Sequence, residues 1–163
     1  MGNIFSGSEI VKLGIQIEKN GRDFYDVLSK QSQDERTGKV FRYLKGEEEK
    51  HIIVFQKILV SLEKTEPQES YEGEYLNYMK ALADEHVFTK KGKGKEIARA
   101  VKADAEAIDI GIGFEKDSIV FYEGMKKVVP EYDIKIVEEL IRQEQGHLKQ
   151  LTDLKDEVKN NAS

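Results

Sequence analysis

EEEKHIIVF, residues 47–55, opens with three glutamates and a lysine and then turns apolar. A solvated charge run and an inward-facing carboxylate–imidazole pair would put opposite faces of this segment into the core. The surrounding residues decide between them. Phe41, Leu44, Glu48, His51, Phe55, Ile58 and Leu62 recur at steps of three and four, the period of one face of a helix. Glu48 and His51 therefore occupy a stripe where a helical bundle ordinarily carries leucine. Glu47 and Glu49 fall off that stripe and are expected in solvent.

The pattern occurs twice. EEKH at 48–51 is matched by EQGH at 144–147, and Glu144 and His147 again interrupt a helical stripe between Leu140 and Leu151. IEKNGRDFYDVL (17–28) is matched by FEKDSIVFYEGM (114–125), with Tyr25 seven residues after Glu18 and Tyr122 seven after Glu115. Glu48 follows Glu18 by 30 residues, and Glu144 follows Glu115 by 29. The two halves thus read as copies of one helical hairpin. A single Glu-x-x-His suits a satisfied core histidine beside a surface acid; two, in register with a second repeated motif, do not.

The periodicity predicts an all-α fold of four long helices. Helix A begins at Ser6, which has capping-box spacing to Glu9, and runs to about Lys30. SQDE at 32–35 is the turn into helix B, and KTEPQES at 64–70 ends it at Pro67. From 71 to 95 the pattern weakens: YEGEYLNYMKAL suits a short helix and TKKGKGK an open loop. Helix C resumes near Glu96, and Pro130 opens helix D. The chain therefore reads as one domain over 1–163, with a hairpin at 6–64, a crossover at 65–95 and an inverted hairpin at 96–159. The midpoint between Glu18 and Glu48 falls in the first turn, and that between Glu115 and Glu144 at the second. At a rise of ~1.5 Å per residue each pair sits roughly 20 Å from its turn, at mid-bundle. Gly14, Gly21, Gly111 and Gly113 lower helix propensity and are expected to permit close helix approach, with room for a small ligand as the alternative.

Composition narrows the rest. Of 163 residues 39% are hydrophobic and 35% charged, and the net charge of −5 disfavours nucleic acid as a partner. The absence of Cys removes disulfides, thiolate metal sites and cysteine nucleophiles. No apolar run approaches a membrane span, and MGNIFSGSE has no secretory pattern, so a soluble cytoplasmic protein is expected.

Four carboxylates in an apolar core repel one another and lose hydration. Two divalent cations would neutralise Glu18, Glu48, Glu115 and Glu144, with His51 and His147 as further donors. Oxygens plus two imidazoles suit iron or manganese better than magnesium or a thiolate zinc cage. His86, in DEHVF, lies in the crossover without a partner motif.

With these residues in view, the sequence resembles the ferritin-like di-iron carboxylate proteins, and among them the rubrerythrin family. That superfamily places one Glu on each of two helices and a Glu-x-x-His on each of the other two. EKDSIVFY at 115–122 is close to the family's usual run. The resemblance implies a ferritin-like four-helix bundle with two iron ions (manganese as an alternative) on Glu18, Glu48, His51, Glu115, Glu144 and His147. It implies Glu48 and Glu144 among the bridging carboxylates and Tyr25 and Tyr122 as hydrogen-bond donors beside the site; core aromatics are the competing reading of those tyrosines. It also implies reduction of hydrogen peroxide or O2, a role in oxidative stress, and a monomer or small dimer. The sequence departs from rubrerythrin proper in two ways. Without Cys there is no rubredoxin-type iron, so electrons must come from an external donor such as a rubredoxin-type protein. Ser118 stands where that family carries an additional Glu, which counts against peroxidase chemistry. A ferroxidase or iron-storage protein with the same ligands, and a non-catalytic metal-stabilised bundle, are the alternatives.

Overall fold

Ser6 caps the first helix as its spacing predicts, its side chain accepting from the Glu9 N–H at 3.2 Å. In this computed structural model, which describes residues 6–65 and 73–161, α1 runs Gly7–Gln31 and α2 Glu35–Thr65. Asp34 starts α2 by accepting from the Thr37 N–H at 2.9 Å and from its hydroxyl at 2.7 Å. Pro67 and the end of the KTEPQES turn lie outside the described residues. α3 (Gly73–Glu85), a 3-10 turn (Val87–Thr89) and α4 (Lys93–Ala100) make the crossover, followed by α5 (Asp104–Met125) and α6 (Glu131–Asn161). Pro130 precedes α6 and its carbonyl accepts the Asp133 N–H at 2.8 Å.

The four long helices α1, α2, α5 and α6 form the bundle. The α1–α2 and α5–α6 hairpins each pack along their length. Cross-hairpin bonds join Tyr25 to Glu115 and Tyr122 to Glu18, so numbering falls along α5 as it rises along α1. The hairpins are therefore inverted, as the two turns predict. Among the described residues there is no strand, and no helix is long and apolar enough to cross a membrane. The core runs from Ile10, Phe24 and Leu28 on α1 to Val137, Leu151 and Leu154 on α6.

The crossover departs from the sequence reading. Helix C is two helices, because Val101 and Ala103 are extended and α5 starts afresh at Asp104. Three side-chain bonds hold the break: the Asp104 carboxylate accepts from Ser32 Oγ at 3.0 Å and from the Asp34 N–H at 3.4 Å, and Glu106 accepts the Lys102 N–H at 3.2 Å. The apolar stripe continues across the break, so periodicity alone conceals it. TKKGKGK is not an open loop either. Gly92 turns it at φ 79, and α4 begins at Lys93. Asn20 on α1 anchors it, donating to the Phe88 and Lys90 carbonyls at 2.6 and 2.7 Å and accepting the Gly94 N–H at 3.1 Å. A Cβ at Gly94 would lie 2.0 Å from the Asn20 carbonyl oxygen, so only glycine allows this approach. Gly113, expected at a close helix contact, has nothing within 4 Å of an added Cβ.

Candidate metal centre

All six residues predicted from the repeat meet at mid-bundle, and all are buried: Glu18, Glu48, Glu115 and Glu144 at 0%, His51 at 1% and His147 at 4% exposure. α1 and α5 each contribute one carboxylate. On α2 and α6 the i, i+3 spacing sets a carboxylate and an imidazole on one turn. His51 Nδ1 lies 2.7 Å from Glu144 Oε1 and 3.5 Å from Glu18 Oε2. His147 Nδ1 lies 3.4 Å from Glu144 Oε2 and 3.8 Å from both Glu48 Oε1 and Glu115 Oε1. The two imidazoles stack 5.6 Å apart.

The donors fall into two groups, each with ligand atoms within 4.8 Å of one another. One is Glu18, Glu48, His51 and Glu144; the other is Glu48, Glu115, Glu144 and His147. Glu48 and Glu144 belong to both, which is the placement a bridging carboxylate requires. The polar atoms aimed inward have no hydrogen-bond partner: Glu18 Oε2, both oxygens of Glu48 and of Glu144, Glu115 Oε2, and Nδ1 of each histidine. Buried polar atoms are seldom left so, and a cluster of them calls for an ion. The residues present therefore fit a pair of divalent cations.

Electrostatics agree. Burial, and then the neighbouring Glu144, pushes Glu18 up to about 7. Burial and Glu144 likewise hold Glu115 well above the usual carboxylate range. Burial opposes ionisation of Glu144 too, but close contacts with Glu115, His147 and His51 hold it well below that range. His51 rises to about 11 because Glu18 and Glu144 outweigh its burial. The cage demands positive charge, and without a cation it favours the protonated forms of Glu18, Glu115 and His51.

The outer nitrogens of the two imidazoles meet unlike partners. His51 Nε2–H donates to Gln143 Oε1 at 2.7 Å, and the Gln143 amide donates to Glu139 at 3.2 Å. That arrangement leaves His51 Nδ1 facing the cage, where a cation would take the place of its proton. His147 Nε2 faces Glu47 Oε1 at 4.0 Å. Glu47 is thus not a plainly solvated acid, as its place off the stripe suggested. Its side chain is 15% exposed, and Tyr43 and Lys50 reach it at 2.9 Å each. Both supports immediately precede a Glu-x-x-His, so the repeat itself carried the signal that would have found them.

Tyr25 donates to Glu115 at 2.7 Å and Tyr122 to Glu18 at 2.5 Å, each reaching the opposite hairpin. Burial raises both phenols, which remain donors. These tyrosines are core aromatics and hydrogen-bond donors at once. His86 stays outside the cage: its Nε2 meets Ser118 Oγ at 3.2 Å and its Nδ1 accepts the Phe88 N–H at 3.1 Å.

Two inverted helical hairpins around a buried Glu/His cage define a ferritin-like bundle of the diiron-carboxylate type. A candidate ferritin-like diiron-carboxylate protein of Thermotoga maritima, known from its crystal structure, is similar to this chain with a TM-score of 0.70 and 27% identity, over 97% of this chain and 99% of that one. The rubrerythrin family model matches residues 9–155, and the chain belongs to the rubrerythrin family. Among curated proteins no sequence matches it.

Proposed function

We propose that this protein is a non-haem di-iron oxidoreductase that reduces hydrogen peroxide or O2 with electrons from an external donor, for which a rubredoxin-type protein is suited. One observation carries the reading: six buried donors from four helices converge, and hydrogen bonds leave their inward atoms unsatisfied. Membership of the rubrerythrin family supports iron as the metal, and the nitrogen-and-oxygen donor set suits it. Bound there, a ferrous pair would supply the two electrons the oxidant takes up, to be replaced by the external donor.

The chain's own residues do the positioning. Glu48 and Glu144 belong to both donor groups and would hold both metals; Glu18 with His51, and Glu115 with His147, would each complete one group. Gln143 fixes His51 by a hydrogen bond so that Nδ1 faces inward, and Glu47 lies 4.0 Å behind His147 Nε2. Tyr25 and Tyr122 hold the single-Glu carboxylates from behind and close the site with their rings, excluding bulk water.

Elemental analysis after iron-replete expression tests the metal, and two irons per chain are expected. Mixing the anaerobic ferrous protein with peroxide and, separately, with O2 tests the chemistry by stopped-flow absorbance. Turnover that depends on added donor is expected. Mineral growth with O2 inside a large hollow oligomer would replace this reading with iron storage, and metal content near zero would end it.

A further inference from the structure

A cavity of about 240 Å³ opens between the crossover and α5, with His86, Phe88, Ile110, Gly113 and Phe114 among its lining residues. Its exposed lining is almost entirely apolar. Val87 and Asp117 are exposed and mark its mouth; His86, Phe88 and Phe114 are buried and form its inner end.

That inner end has no hydrogen-bonding group to spare. His86 Nδ1 is occupied by the Phe88 N–H. Ser118 Oγ donates to the Phe114 carbonyl at 2.8 Å, so it can only accept from His86 Nε2–H. Both ring nitrogens are therefore committed. Burial lowers this imidazole to about 4, so it is neutral. A peroxide molecule entering here would give up its hydration with nothing in exchange, at a cost for every hydrogen bond left unmade. Dioxygen, apolar and of similar size, gives up none.

Phe114 is the wall between this cavity and the cage. On the cavity side its ring lies 4.8 Å from Phe88 and 6.0 Å from His86. On the other it lies 5.9 Å from Tyr25, the donor to Glu115. A Cβ added at Gly21 would lie 2.6 Å from Phe114 Cζ and 3.3 Å from Glu48 Oε2. Gly21 thus lets the ring tip and a cage carboxylate approach the same point, with a single aromatic ring separating cavity from donor set.

We propose that the His86–Phe88–Phe114 cavity binds dioxygen and admits it past the Phe114 ring to the Glu48 side of the cage. The delivery step rests on the di-metal reading above; the binding step does not. Binding is tested on the full chain loaded with diamagnetic zinc, or metal-free if zinc does not load. Dioxygen is paramagnetic, so under oxygen pressure it speeds relaxation of the methyl groups it meets. The half-buried Ile110 methyls should relax several-fold faster, and more than those of Ile53, which is 53% exposed and lies elsewhere on the surface. Gly113→Leu adds bulk to the cavity lining at a point where a Cβ meets nothing within 4 Å, and should abolish the Ile110 effect. Enhancement that merely follows exposure, with Ile53 above Ile110, overturns the binding site. Delivery is tested by oxidising the ferrous protein with each oxidant. Gly113→Leu should slow oxidation by O2 several-fold and leave oxidation by peroxide unchanged. Equal effects on both oxidants, or none on either, overturn delivery and leave the di-iron function standing. Failure to bind two irons overturns that function and delivery together, and the methyl experiment then still decides the cavity.

Discussion

Behind His51 stands an uncharged amide, Gln143, 2.7 Å from Nε2; behind His147 stands a carboxylate, Glu47, at 4.0 Å. Three residues beyond Glu18 comes Gly21, which leaves room for the Phe114 ring; three beyond Glu115 comes Ser118, which the crossover's His86 engages. The two halves of the cage thus offer a cation the same donors on unlike supports. A duplicated hairpin keeps its ligand atoms because any loss leaves buried charge unpaired. The residues behind them have no such constraint and can diverge. Lys50 and Tyr43 hold Glu47 below the usual carboxylate range despite its partial burial, so a full charge backs only one imidazole.

The shared donors should show the largest effect. Glu144→Ala removes oxygens from both metal positions, whereas Glu18→Ala or Glu115→Ala removes them from one. Elemental analysis should therefore find nearly complete loss of metal in the first variant and about half occupancy in the other two, the separation expected of bridging and terminal ligands. Equal losses from all three would mean that Glu144 serves one position only.

The crossover breaks the symmetry on the α1–α5 side, and acid should expose it. An unfolded His86 takes up its proton near 6.5, while the folded residue does so only near about 4. Between those values the unfolded chain binds more protons, so stability falls as pH falls through that window. The maximum contribution is about 3 kcal/mol, from the usual 1.4 kcal/mol per pKa unit. His86→Asn keeps an acceptor for the Phe88 N–H but cannot titrate. Its melting temperature should be lower at pH 7 and less sensitive between pH 6.5 and 4 than that of the parent chain.

The supports themselves come next. A carboxylate behind an imidazole makes it the more basic ligand, and altering such a partner typically changes metal affinity about 10–100-fold. Glu47→Gln should weaken the position completed by His147, and Gln143→Glu should strengthen the one completed by His51. Titration with a competing chelator should show two unequal binding steps in the parent chain and a narrower gap in each variant. Two equal steps in the parent would mean that 4.0 Å is too far for Glu47 to matter.

How legible all this was differs between the same regions. The ligands showed in the sequence because Glu48, His51, Glu144 and His147 interrupt an apolar stripe at the positions that must face inward, twice and in register. The bundle followed from the same period and from turns at 32–35 and 130. The crossover was obscure because its shape depends on contacts distant in sequence. Asn20 binds residues 88, 90 and 94, and Asp104 binds Ser32 across the helix break, and neither contact leaves a local pattern. Glu47 was misread for a related reason. Being off the stripe of its own helix says nothing of an imidazole approaching from α6.

The tyrosines offer the finest comparison, since here the two halves match: each phenol reaches the opposite hairpin's single carboxylate, at 2.5 and 2.7 Å. A cation must displace the proton from Glu18, whose pKa is raised to about 7 by burial and Glu144. Metal affinity should therefore climb with pH through that value, and the raised Glu115 and His51 extend the climb above it. Tyr122 lowers the Glu18 pKa by donating to it, so Tyr122→Phe should move the climb to higher pH. Tyr25→Phe bears on Glu115 instead and should leave the Glu18 step in place. Each change removes one hydrogen bond to a buried acid and should lower thermal stability by about 1–3 kcal/mol. Competition titrations with zinc at a series of pH values would read the first effect and melting curves the second. If both variants shift the same step, the two positions fill as one unit and the cage is symmetric in function despite Gln143 and Glu47.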